Sequence, residues 1–218
     1  VLLVAVPIMI QNGITNFVSL LDNIMVGQVG TEQMSGVAIA NQLVFIFNLC
    51  IFGAVAGAGI LGAQFYGSGN AEGVRDTFRF KLLFGVILSA IFAVIFLTVG
   101  EPLIQQFIHQ GEGIGDLEAT RSYGKAYLEV IVIGILPFAL TQCYSGTLRE
   151  TGETVIPMIA GIIAVCVNLV FNYILIFGKL GAPELGCVGA AIATVLSRFV
   201  ELAIVAGWTH KHAARNPF

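Results

Sequence analysis

The sequence predicts an all-α, integral membrane fold, a bundle of six transmembrane helices, and three observations carry that expectation. Of the 218 residues, 57% are hydrophobic and only 11% are charged. The mean hydropathy is +0.91, and the apolar residues gather into six runs long enough to cross a bilayer. A water-soluble domain of this length needs roughly a quarter of its residues charged to cover its surface. A membrane barrel is disfavoured, because barrel strands show short alternating patterns and these runs are uniform. The formal charge of −3 gives no footing for a nucleic-acid partner. Cys50, Cys143, Cys166 and Cys187 are widely spaced and mostly within apolar runs, so they form neither a disulfide framework nor a zinc spacing and read as packing residues.

A crossing takes about 20 mainly apolar residues. The first run, 1–25, opens on VLLVAVPIMI with no initiator Met, no basic leader and no cleavage site, so the chain reads as a fragment that begins inside its first helix. The glycine stop GQVGTE separates it from the second run, 34–66, and YGSGNAEGVRD separates that from the third, 78–99. The long segment GEPLIQQFIHQGEGIGDLEATR precedes the fourth run, 123–147; LRETGET precedes the fifth, 155–177; GKLGAPELG precedes the sixth, 187–208.

Basic residues orient the bundle. Arg75, Arg79, Lys81, Arg149, Lys211 and Arg215 fall on one side, and Arg121, Lys125 and Lys179 on the other, together with Glu101, Glu112, Asp116 and Glu118. By the positive-inside rule the first group is cytoplasmic, which puts both ends of this bundle in the cytoplasm.

Helix 1 carries Gln11, Asn12, Thr15, Asn16, Ser19, Asp22 and Asn23. At ~100° per residue all seven fall within an arc of roughly 140°. Phe17, Leu21 and Ile24 lie on the other side. Such an arc faces the bundle interior or a wet cavity, because hydrocarbon offers its polar groups no partner. An ionised Asp22 at the centre of a span costs about 2.5 to 3.5 kcal/mol, and less near an end. Taking up a proton or a cation relieves that cost, which makes Asp22 a candidate carrier; the alternative is an acid at headgroup level on a helix end.

Asn168 and Asn172 in helix 5 are four apart and share a face. Their oxygens can coordinate a cation, their amides can bond a carboxylate, or they can join helices. Helix 2 adds Asn41, Gln42 and Asn48, followed by the small-residue run GAVAGAGILGA, which reads as a packing surface. Arg198 and Glu201, three apart in helix 6, read as a structural ion pair, and Lys125 with Glu129 as an interfacial one. His109, His210 and His212 form no ligand cluster with the cysteines. No GxxxxGK[ST] loop and no HExxH occur, and no nucleophile has a base beside it, so the chain is not expected to be an enzyme or to need an organic cofactor.

Five segments in order resemble the multidrug and toxic compound extrusion (MATE) family: Pro7 and Gln11 followed by LLDNIMVGQVG, then GAQFYGSGN, LRETGETVIPM, NLVFN and GAPELGCVGAAIAT. The resemblance spans nearly the whole chain. It implies cation-coupled antiport, driven by H+ or Na+, that exports small organic, often cationic, drugs across the plasma membrane by alternating access. Residues 1–218 would then be the amino-terminal lobe of a twelve-helix transporter, with the carboxy-terminal lobe as a missing partner and the lipid bilayer as the surroundings. It implies coupling roles for Asp22, Asn168, Asn172 and Thr194, with Na+ at Asp22, Asn168 and Asn172 where sodium is the ion. Gln11, Asn12, Thr15, Asn16, Ser19 and Asn41 would line the substrate cavity. These groups should meet in one cavity between helices 1, 5 and 6. Some relatives carry an aspartate where this chain has Asn172, which leaves Asp22 as the only acid of the expected network. Two other readings are a lipid-linked sugar flippase of the wider superfamily, expected to carry more cavity lysine and arginine, and a membrane scaffold that does not transport.

Overall fold

The computed structural model describes residues 2–109, 116–212, 216 and 218, with backbone alone at 2–5, 7, 8, 12, 15, 16, 18, 19, 108 and 109. Six long helices follow one another: α1 Leu2–Gly27, α2 Thr31–Gly67, α3 Ala71–His109, α4 Leu117–Glu150, α5 Val155–Ile176 and α6 Gly186–Lys211. No strand occurs among the described residues. Helices α2 to α6 are each long and apolar enough to cross a membrane. Leu83, Ile87, Ile91 and Val94 of α3 stay exposed on the outside of the bundle, which is where lipid takes the place of water.

Helix α4 is the centre of the bundle, packing on α2, α3 and α6, while α5 pairs with α6 and α1 leans chiefly on α5. Its interior is a column of Ile131, Ile135 and Ala139, all essentially without exposure, beside a cluster in which Phe47 of α2 meets Phe92 of α3 at 5.3 Å and Phe138 of α4 at 6.2 Å. The tightest crossing joins α2 to α4 at two glycines. A Cβ on Gly36 would stand 2.6 Å from the Thr120 carbonyl oxygen and 2.7 Å from the Gly124 nitrogen. Both neighbours are backbone and cannot swing away, so only glycine allows this approach. Gly36→Ala is therefore expected to lower stability by about 1–3 kcal/mol, read as a drop in melting temperature of the full-length protein in detergent. An unchanged melting temperature would show that the two helices part at no cost.

Helix ends follow local chemistry. Asp116 caps α4 by accepting from the Glu118 and Ala119 amides at 3.0 and 3.2 Å. Asn70 caps α3 by accepting from the Gly73 amide at 3.0 Å. Gly152, at φ +89, reverses the chain between α4 and α5.

The structure lengthens α3 at both ends. Its end was expected at residue 99 because GEP reads as a stop, yet the helix runs through Pro102 to His109. Proline removes one backbone donor but leaves the rest of the ladder. Tertiary contacts hold the extension: Ile104 is fully buried in the core, and Glu101 takes Lys125 at 2.7 Å and Arg121 at 3.2 Å from α4. Lys125 is thus paired across helices and not with Glu129, one turn along its own.

At the other end, α3 starts at Ala71, which puts Lys81 inside the helix and not in a loop. Lys81 is 2% exposed, and its ammonium donates to Glu150 at 2.5 and 2.7 Å and to Thr147 at 3.2 Å. Gly59 and Gly62 of α2 leave the room into which the Glu150 carboxylate fits. Three helices are clasped by one ion pair.

Candidate functional site

The cluster around Asp22 is built by three helices. On α5, Asn168 and Asn172 fall on one side by their four-residue spacing, and both are buried, at 6% and 1% exposure. Helix α1 packs against that side and brings Asp22 to it, while α6 brings Thr194. Asn172 Nδ2 donates to Asp22 Oδ1 at 2.5 Å.

The hydrogen-bonding surroundings assign the Asn168 amide with its nitrogen toward Asp22, donating to both carboxylate oxygens at 3.1 Å. Asn172 Oδ1, moreover, is buried without a hydrogen-bond partner. Two amides thus converge on the Asp22 carboxylate.

Asp22, Asn168 and Thr194 open onto a cavity of about 760 Å³. A second cavity of about 270 Å³ adjoins it, lined by Asn172, Asn23 and Asn41, and the two share Asp22, Asn48, Thr194 and Arg198. The enclosure is wider than the three helices expected, since Asn48 of α2 and Phe138 and Gln142 of α4 also line it. Gln11 lies in the larger cavity, where its Oε1 accepts from Arg149 at 2.8 Å. Asn41 lies in the smaller one and accepts from the Tyr127 hydroxyl at 3.2 Å. The side chains of Asn12, Thr15, Asn16 and Ser19 lie outside the described residues.

Helix α6 corrects the sequence reading. No ion pair joins Arg198 to Glu201 among the described residues; both side chains line the larger cavity instead. Arg198 donates to the Gly134 carbonyl at 3.3 Å and sits over the Phe138 ring at 5.0 Å, held on α4 instead of by its own helix. Arg149, read as a loop charge facing the cytoplasm, belongs to the last turn of α4 and turns into the same cavity. A signal for Arg198 and Glu201 was present: they follow Thr194 at intervals of four and three, the spacing of one helix face. Arg149 gave none, because LRETGE looks the same whether its arginine turns to headgroups or inward.

Known proteins share this sequence pattern and this architecture. A family model described as MatE matches residues 7–174. Among curated proteins, the probable multidrug resistance protein NorM of Thermotoga maritima is 34% identical over 202 residues, covering 92% of this chain and 42% of that protein. The probable multidrug resistance protein NorM of Oceanobacillus iheyensis is 30% identical, covering 91% of this chain and 43% of its own length. A solved structure described as the outward-facing conformation of a multidrug resistance MATE family transporter of the MOP superfamily superposes with a TM-score of 0.82 at 24% identity, over 97% of this chain and 45% of that one. Another, described as MATE in the straight conformation, superposes at 0.85 with 23% identity, over 96% of this chain and 44% of that one. The chain spans less than half the length of the relatives it matches.

Proposed function

The chain belongs to the MatE family, and on that footing we propose that it forms one lobe of a cation-coupled antiporter that exports organic drugs across the cell membrane. The observation that carries the reading is the Asp22 carboxylate, set at a cavity wall with two buried amides donating to it. A proton or Na+ taken up there alters the charge of the wall that a drug meets, so the two compete for one cavity and are exchanged. Asn168, Asn172 and Thr194 are the groups that would hold the ion beside Asp22; Gln11 and Asn41 belong to the drug's surroundings. The other wall of the pathway comes from a carboxy-terminal lobe, and rocking of one lobe on the other gives alternating access. Arg75, Arg79 and Lys211, in the first turns of α3 and the last turn of α6, support a cytoplasmic location for that end of the lobe.

Charge balance supports drug export over lipid-linked sugar transport. A pyrophosphate calls for a net positive cavity, whereas the two arginines of this cavity, Arg149 and Arg198, are equalled in number by its two acids, Asp22 and Glu201. The test is reconstitution of the full-length protein in vesicles with an imposed proton or sodium gradient and a fluorescent organic cation. Dye movement against its own gradient, collapsing when the ion gradient is dissipated, is the expected result. A lipid-linked sugar moved in its place, or no movement of either, would overturn the proposal.

A further inference from the structure

We propose that Arg198 forms a carboxylate-binding subsite in the larger cavity, so that this transporter prefers amphoteric drugs, carrying an amine and a carboxylate together, over drugs that are only cationic. The inference rests on the efflux reading above and names the substrate class within it.

Gly134 of α4 lets α6 pack closely: a Cβ there would stand 3.0 Å from Val195 Cγ2, 3.3 Å from Arg198 Cδ and 3.4 Å from one of its terminal nitrogens, so the arginine lies in a groove at this glycine. In that groove the Gly134 carbonyl accepts one N–H at 3.3 Å, and the Phe138 ring covers a guanidinium face at 5.0 Å. An arginine carries several N–H donors in a planar fork. One is used by Gly134, and neither a carboxylate nor any other acceptor takes the rest among the described residues. Arg198 lines both cavities, as does Asp22.

Arg149 is engaged differently. Its terminal nitrogen is given to Gln11, and its Nε is buried without a partner. Arg198 likewise has one N–H taken, and unlike Arg149 it borders both cavities. A guanidinium edge with one face covered by an aromatic ring suits a carboxylate, which it can meet with two parallel hydrogen bonds. Glu201 lines the same cavity within electrostatic reach of Arg198 and Arg149 but not at ion-pair distance, so its oxygens and those of Asp22 can still receive an amine. A purely cationic drug offers Arg198 no counter-charge, while an amphoteric one answers both signs.

The experiment measures equilibrium binding to the detergent-solubilised full-length protein of a rhodamine with a free carboxylate and of its methyl ester, which differ in that one charge. The acid is expected to bind at least about tenfold more tightly than the ester, as two charge-assisted hydrogen bonds give. Sodium benzoate should displace the acid and leave the ester in place. Arg198→Gln should abolish the preference for the acid over the ester, and Arg198→Lys should restore only part of it. Equal affinity of acid and ester in the unsubstituted protein overturns the proposal without needing a variant that folds; so does a preference that survives Arg198→Gln. Binding is read without a gradient, so an acid preference with no gradient-driven transport would sink the antiport reading and leave the subsite standing. Failure to bind either dye overturns both.

Discussion

Asp22→Asn in the full-length transporter is expected to reduce gradient-driven drug efflux to the level of empty vesicles, with expression and melting temperature close to those of the parent. The substitution keeps the size of the side chain and an oxygen that can accept from Asn172, which now donates to Asp22 Oδ1 at 2.5 Å. What it removes is the charge, and with it the main attraction for a cation. Among the described residues of the cluster no second acid can take over, since Asn168, Asn172 and Thr194 are neutral. Efflux at the parental rate under both mildly acidic and mildly alkaline conditions would make Asp22 a structural residue.

Breaking the clasp at the other end of the bundle should have the largest effect on stability. Lys81→Met leaves the Glu150 carboxylate among α2, α3 and α4 without its cation. Removing one partner of a buried pair costs about 3–5 kcal/mol, because the remaining charge stays desolvated. Adding Glu150→Gln to Lys81→Met should recover most of that loss, since an amide fills the same space between the α2 glycines without a charge. Thermal unfolding of the two full-length variants in detergent checks this. A double variant no more stable than the single one would show that the loss comes from packing of the lysine stem and not from charge.

The bundle was legible because lipid leaves so few alternatives. Runs such as IIAVCVNLVFNYILIFG are helices by length and hydropathy alone, and their ends carry glycine turns that work locally. The sequence misled where tertiary contacts overruled local signals. Pro102 reads as a stop, but the burial of Ile104 and the grip of Lys125 and Arg121 on Glu101 continue α3 past it. Lys81 reads as a headgroup charge, and nothing in the nearby sequence shows that Glu150, 69 residues away, encloses it.

The candidate site divides the same way. Asp22, Asn168 and Asn172 were legible because a polar side chain in an apolar span must face protein or water. Thr194 came only from resemblance to a family, since a threonine in a helix commonly bonds to its own backbone. Arg198 and Glu201 were seen but paired with each other, because spacing of three along a helix allows a pair and cannot show that Gly134 and Phe138 of α4 compete for the arginine. The share taken by Asn48, Phe138 and Gln142 of α2 and α4 in the cavity depends on how those helices lean, which no one-helix pattern carries.

In the proposed mechanism Asp22 changes its charge state or its bound cation when a drug enters the cavity. Infrared difference spectroscopy of the purified full-length protein, recorded before and after adding a transported drug, with and without sodium, reads this directly. The carboxyl bands are expected to change, as a protonated acid or a cation-bound carboxylate becomes a free carboxylate, and that change is expected to disappear in Asp22→Asn. Identical difference spectra from the parent and from Asp22→Asn would contradict the mechanism.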